Sequence, residues 1–212
     1  MSKTSNSHPT AIDWKKALDH FNRTDPVLAS IAQGLKKGER LVSRGEPFFT
    51  LTRSIVGQQI SVKAADAVWA RFIAEAAGPS PATILALDED GLRAVGLSRQ
   101  KVRYLRELAL WWESTPGLEK TLTSESDEEV IRILVERPGI GRWTAEMFLI
   151  FTLMRPDVFP VDDLGVLKAI ALHYPGVDTK AKARALAQRW QPYRTVAVWL
   201  LWRSLDPVPV EY

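Results

Sequence analysis

Between Leu134 and Asp163 the chain reads LVERPGIGRWTAEMFLIFTLMRPDVFPVDD, and no other stretch limits the fold so tightly. Two segments with helical spacing of apolar residues are joined only by Pro138, Gly139, Ile140 and Gly141, so the chain must reverse within a few residues. Glycine allows such a turn because, lacking a Cβ, it takes positive φ readily and lets another chain approach closely. The helix that follows leaves its first amides without intrahelical acceptors. Those of Gly139, Gly141 and Thr144 are expected to point outward, a ready site for a phosphate group. Beyond the second helical segment stand two carboxylates, Asp162 and Asp163. A phosphate grip together with an acidic site suggests an enzyme acting on nucleic acid.

The rest of the chain keeps a helical period. Helices are expected from Ala11 to Phe21 and from Leu28 to Leu35, and a long helical region from Phe48 to Ala77, broken near Gly57 or Ser61. Its apolar side is read as Ile55, Ile60, Ala64, Ala67, Val68 and Phe72. The Gly78-Pro79-Ser80-Pro81 run ends it, since proline disfavours helix at the residue before it. Ser80 and Asp88 are expected to cap two short helices, and Ser98 precedes a longer one from about Arg99 to Glu113. Ser126 followed by Glu129 has capping-box spacing and opens the first hairpin helix, about Asp127 to Arg137. The second is expected from Arg142 to about Met154, stopped by Pro156. Helices from Leu164 to His173, Thr179 to Trp190 and Pro192 to Leu205 complete an all-α reading. β-branched runs with period-2 alternation are lacking, so no substantial sheet is expected.

Composition removes several classes of function. With 46% hydrophobic and 25% charged residues, the 212-residue chain is ordinary for a soluble protein. It contains no cysteine, which excludes a disulfide framework, a thiolate zinc site and a cysteine-ligated iron–sulfur cluster. No apolar run approaches the ~20 residues a membrane helix requires, and the polar start lacks the apolar core of a secretory signal. The expected location is therefore the cytoplasm, on the nucleoid in a bacterium and in the nucleus of a eukaryote. A net charge of +3 permits DNA binding without proving it.

The blocks PGIGRWTAEMF and VFPVDDLGV resemble the helix-hairpin-helix motif and catalytic aspartate of the DNA glycosylase superfamily, most closely its 3-methyladenine DNA glycosylase II family. The resemblance extends to SIVGQQISVKAADAVWARF and GLSRQKVRYLRELA upstream and to RWQPYRTVAVWLLWR downstream, from about Phe48 to Leu205. It implies an all-α helix-hairpin-helix glycosylase fold of two helical lobes, not independent domains, with the active site in the cleft between them. That core would occupy residues 11–212 after a flexible polar tail over 1–10, with the hairpin at about 127–154. The chain resembles the compact form of the family, without the N-terminal β-rich domain of larger members. The implied partner is duplex DNA containing alkylated bases, and the implied protein is a monomer.

The resemblance also assigns roles. Asp163 would be the catalytic aspartate, and its chemistry is apt: breaking an N-glycosidic bond builds positive charge on the sugar, which an ionised carboxylate stabilises. Asp162 is then expected to cap the helix that starts near Leu164, although both acids could be mere helix-start residues. Trp143 stands where lyase-type relatives have a lysine that forms a Schiff base, so a monofunctional enzyme is implied. The indole either packs behind the hairpin or walls the base pocket. Trp202 matches the aromatic residue that faces the target base, a contact that favours cationic alkylated purines, unless it and Trp199 are core residues. Met147 replaces the family's usual tyrosine, which opens the lesion range to uracil, hypoxanthine or ethenoadenine. Gln58 and Gln59 would enter the minor groove, with Gln59 filling the gap left by a flipped base; ordinary surface glutamines remain the alternative. Lys63, Arg99, Lys101 and Arg103 are candidates for phosphate contacts. No catalytic metal or cofactor is implied. The one ion expected is a structural Na or K ion on the backbone carbonyls of Val135, Arg137 and Ile140 when DNA is bound. A DNA-binding module without catalysis is the alternative class, and it would need neither Asp163 nor an aromatic pocket.

Overall fold

The computed structural model describes residues 12–76 and 78–205. The tail expected over 1–10 lies outside the described residues. Thirteen α-helices and one short 3-10 helix, with no strand, make up the regular structure of the described residues, and the chain divides into two compact units.

Among the described residues, the first unit joins 12–43 to 149–205. It holds α1 (Trp14–Thr24) and α2 (Pro26–Gln33), separated by the single residue Asp25. That residue carries much of the local order. Its Oδ1 accepts the amides of Val27 and Leu28, both at 3.1 Å, which caps α2. The same carboxylate accepts the Tyr174 hydroxyl at 2.9 Å and the Trp190 indole N–H at 2.7 Å. Asp25 is 1% exposed, so these donors replace the water it lost. Burial first, and then the Asp25 carboxylate, push the Tyr174 hydroxyl far above the ordinary tyrosine range, which keeps it a donor. The unit is completed by α11 (Leu164–His173), α12 (Lys180–Ala187), the 3-10 turn Gln188–Trp190 and α13 (Arg194–Leu205). Helix α13 packs against α2 and α11, with every residue from Thr195 to Leu201 buried.

The second unit spans Arg44–Phe148 and contains α3 (Pro47–Gly57), α4 (Val62–Ala76), α5 (Pro81–Ala86), α6 (Glu89–Ala94), α7 (Arg99–Ser114), α8 (Leu118–Ser124) and α9 (Asp127–Val135). Helix α10 (Arg142–Phe151) begins in it. Its hub is α7, against which α3, α5 and α6 pack. Ser80, Asp88 and Ser98 cap α5, α6 and α7 as expected, and the break between α3 and α4 falls at residues 58–61.

The structure departs from sequence expectation in several places. Helix α8 was not foreseen: Leu118 and Leu122 bury one short face, too brief a period to stand out after Thr115-Pro116-Gly117. Helix α4 turns Ala65, Val68, Phe72 and Ala76 inward, leaving Ile60, Ala64 and Ala67 exposed; the break at 58–61 resets the helical phase that the longer pattern assumed. Only half of the capping box on α9 forms. Ser126 accepts the Glu129 amide at 3.3 Å, but the Glu129 carboxylate turns to Arg132, with bonds of 2.6 and 2.9 Å. Helix α10 stops at Phe151, short of Met154, which takes φ 54° while the Arg155 amide reaches back to the Leu149 carbonyl at 2.9 Å.

Asp25→Ala should leave two buried donors without an acceptor and uncap α2. The expected cost is about 3 kcal/mol or more, a fall in Tm of about 10 °C for a chain of this size, read by thermal unfolding.

Candidate active site

Asp163 is the N-cap of α11. Its Oδ1 accepts the Val166 amide at 2.7 Å and the Trp202 indole N–H at 2.9 Å, and the residue is 9% exposed. The cap expected of Asp162 is thus made by Asp163, because the turn closed by the Asp163 amide on the Pro160 carbonyl, 3.0 Å, ends one residue later than the pattern suggested. Asp162 points instead to Lys180, at 2.6 Å.

The surroundings of Asp163 are built by α13. Arg194 grips Asp157 with two bonds, 2.7 and 2.9 Å. The Thr195 hydroxyl donates to the Arg155 carbonyl at 2.6 Å and accepts the Val158 amide at 3.0 Å. The loop running toward Asp163 is thereby tied to the start of the helix that carries Trp202. Trp202 itself is half-buried and stacks on Phe151, with ring centroids 5.6 Å apart and planes 13° from parallel. Gly165 makes the approach possible: a Cβ there would sit 3.1 Å from Asp163 Oδ1 and 3.2 Å from the Trp202 indole nitrogen. Neither Phe151 nor Gly165 was singled out from sequence. Both had a signal, since Phe151 lies four residues beyond Met147 and Gly165 sits in the first turn after the acidic pair.

The second unit gathers most of the remaining candidates. A groove of about 470 Å³ is lined by Gln58, Gln59, Gly139, Gly141, Trp143, Thr144 and Met147, together with Arg44 and Arg53. Trp143 is 38% exposed, whereas Met147 is 7% exposed and presents an edge to the groove. Gln59 is exposed at φ 58°, and the Gln58 side-chain amide donates to the Gly139 carbonyl at 2.7 Å.

The hairpin turn is firmly backed. Gly139 has φ 86°, and a Cβ on it would lie 2.4 Å from the Tyr104 ring, so this position excludes side chains on two counts. Arg137 lies over the Trp111 ring, 4.9 Å from its centroid. Arg142 on α10 ties back to Glu128 on α9 at 2.6 Å, holding the Glu128 carboxyl below its usual range. The first helical bond of α10 runs from the Ala145 amide to the Gly141 carbonyl, 3.0 Å, so the amides of Gly141 and Thr144 precede the intrahelical pattern. Val135 and Ile140 flank Arg137, whose carbonyl accepts the Ile140 amide at 3.0 Å.

Two phosphate candidates have other partners. Lys101 donates to the Val56 carbonyl at 2.7 Å, and burial lowers its ammonium pKa. Arg103 pairs with Glu107 at 3.7 Å and covers the Tyr104 ring. Lys63 and Arg99 are exposed, outside the groove lining. Among the described residues no cluster of three His, Asp or Glu side chains could hold a metal ion, and no helix is long and apolar enough to cross a membrane.

Helices throughout and a glycine turn between α9 and α10 define a helix-hairpin-helix protein. The HhH-GPD superfamily of base excision DNA repair proteins matches residues 52–194. DNA-3-methyladenine glycosylase 1 of Schizosaccharomyces pombe is 37% identical over 180 residues, 81% of this chain and 78% of that protein. A DNA-3-methyladenine glycosidase from Bacillus halodurans has a similar structure, with a TM-score of 0.79 and 30% identity over 90% of this chain and 89% of the other. The Schizosaccharomyces pombe 3-methyladenine DNA glycosylase in complex with abasic DNA gives a TM-score of 0.74 and 34% identity, covering 92% and 100%. The chain belongs to the HhH-GPD superfamily of base excision DNA repair proteins.

Trp202→Phe keeps an aromatic ring on Phe151 but removes the N–H that Asp163 accepts. Turnover of damaged DNA should fall about tenfold, the worth of one hydrogen bond to a charged group, while Tm falls by no more than about 5 °C. Rate measurements with excess enzyme would show it.

Proposed function

We propose that this protein is a DNA-3-methyladenine glycosylase, which removes alkylated bases such as 3-methyladenine and 7-methylguanine from duplex DNA and so starts base excision repair. The observation that carries the proposal is Asp163, a carboxylate oriented by the Val166 amide and the Trp202 indole N–H, in a chain similar to glycosylases of that name.

The chemistry asks little of the protein beyond placement and charge. Alkylation makes the purine cationic or electron-poor, so the C1′–N bond breaks with its electron pair leaving on the base. Positive charge develops on the sugar, where the Asp163 carboxylate opposes it. Water then adds at C1′ and gives up a proton, and an abasic sugar remains. Trp143 offers no amine to attack C1′, so no Schiff base forms and the strand stays intact. Trp202, beside Asp163, supplies an indole face suited to a cationic base; in the groove of the second unit, Trp143 offers an indole face and Met147 a soft, adaptable wall.

Reaching the bond requires the base to leave the stack, at a cost of a few kcal/mol. Gln59, exposed at the groove, fills the gap. The amides of Gly139, Gly141 and Thr144 grip a phosphate, using the unpaired start of α10. The backbone carbonyls of Val135, Arg137 and Ile140 would hold a Na or K ion, which would supply positive charge at the hairpin. The Arg137 carbonyl, already bonded to the Ile140 amide, keeps a second lone pair for it.

Incubation with alkylated duplex DNA, followed by chromatography of the free bases, tests the proposal. Release of 3-methyladenine and 7-methylguanine is expected, with intact abasic strands and no covalent adduct after borohydride. Tight DNA binding without release of any base would replace it with a non-catalytic binding module. A trapped adduct would overturn the monofunctional mechanism.

A further inference from the structure

The turn over residues 58–61 is held in place by contacts that neither phosphate gripping nor bond cleavage uses. Gln59 takes φ 58°, a left-handed conformation that costs a residue with a Cβ and persists only where its surroundings impose it. Two side chains restrain this segment. Lys101, on α7, donates to the Val56 carbonyl in the last turn of α3, 2.7 Å. Gln58 caps α3 and donates its amide N–H to the Gly139 carbonyl, also 2.7 Å.

The second bond joins two pieces of the second unit that lie far apart in sequence. Gly139 cannot retreat, because the Tyr104 ring occupies the space where its Cβ would be, and Tyr104 in turn accepts the Gln100 amide at 2.5 Å. The peptide between Gly139 and Ile140 is bonded at both ends, its carbonyl to Gln58 and its N–H to the Arg137 carbonyl at 3.0 Å. It cannot flip without breaking both bonds.

We propose that Gln58 is a positioning residue: through the Gly139 carbonyl it locks the turn that carries Gln59 onto the hairpin, so that the phosphate grip sets where Gln59 enters the duplex. The proposal rests on the reading of the hairpin as phosphate grip and of Gln59 as plug. The contact is local, Gln58 is only half-buried, and its loss leaves the core of the unit untouched.

The test uses the full chain with Gln58→Leu and Gln58→Glu. It follows three quantities: affinity for undamaged duplex, base flipping reported by a fluorescent base analogue beside a modified nucleotide, and release of 7-methylguanine with excess enzyme. For Gln58→Leu, flipping and release should both slow about tenfold, with affinity for undamaged DNA changed less than about threefold. Gln58→Glu should be slower still near neutrality, where a carboxylate faces the carbonyl. Relative to wild type it should recover as pH falls toward the carboxyl pKa of about 4 to 5, since the neutral acid donates an O–H to Gly139.

Flipping at the wild-type rate in both variants would overturn the proposal. So would a ratio to wild type that stays flat with pH, or a parallel loss of affinity for undamaged DNA, which would make Gln58 a direct DNA contact. Flipping is read without base release, so an error in the glycosylase reading shows separately, as flipping by wild type with no base set free.

Discussion

The Asp163 carboxylate, held between the Val166 amide and the Trp202 indole, is the contact on which the rest of the site depends. One oxygen does two jobs. As a helix cap it fixes the start of α11, and as the acceptor of an indole N–H it fixes the aromatic ring beside it. Gly165 leaves room for both, since a Cβ there would press on the oxygen at 3.1 Å and on the indole nitrogen at 3.2 Å and move one of them by a few tenths of an ångström. The bidentate pair Arg194–Asp157 and the Thr195 hydroxyl then tie the preceding loop to α13, so the residues on either side of Asp163 share one scaffold. A carboxylate fixed this way needs no rearrangement when charge appears on a sugar, which is the physical content of electrostatic preorganisation.

The hairpin solves a different problem with similar economy. Many of the chain's cations are spent internally: Arg53 on Asp66, Arg132 on Glu129, Arg142 on Glu128, Arg203 on Glu39 and Lys101 on a main-chain carbonyl. With a net charge of only +3, the proposed grip on DNA would fall more to oriented backbone amides than to a basic surface. The proposed grip would draw on the rigidity of the turn, where Tyr104 presses on Gly139 and Trp111 lies beneath Arg137. Rigid support for a backbone donor is worth more than an extra charge on a mobile stem.

Most helices were legible because their signals are local. Ser80, Asp88 and Ser98 announce α5, α6 and α7 by the capping chemistry of their side chains alone, and the glycine turn announces the hairpin. What escaped depends on partners distant in sequence, or on a choice between two near ones. That Asp163 rather than Asp162 caps α11 is decided by the Pro160 turn and by Trp202 arriving from α13. The Glu129 side chain has two possible partners within one helix turn, and Arg132 wins over the Ser126 amide through charge. Lys101 reads as a solvent-facing cation until α3 supplies a carbonyl above it. Trp143, Met147 and the glutamines were found as candidates from the family pattern, but the groove they share is a property of the packed chain.

The central claim is that the charge of Asp163, and not merely its place in the fold, drives base release. Asp163→Asn isolates that charge, because the amide oxygen still accepts the bonds from Val166 and Trp202. The decisive measurement is the rate of 7-methylguanine release with excess enzyme, alongside the affinity of each protein for the same duplex. The account predicts a fall of roughly 100- to 1,000-fold in rate with affinity little changed. Equal rates for the two proteins would contradict it and send the search to another carboxylate.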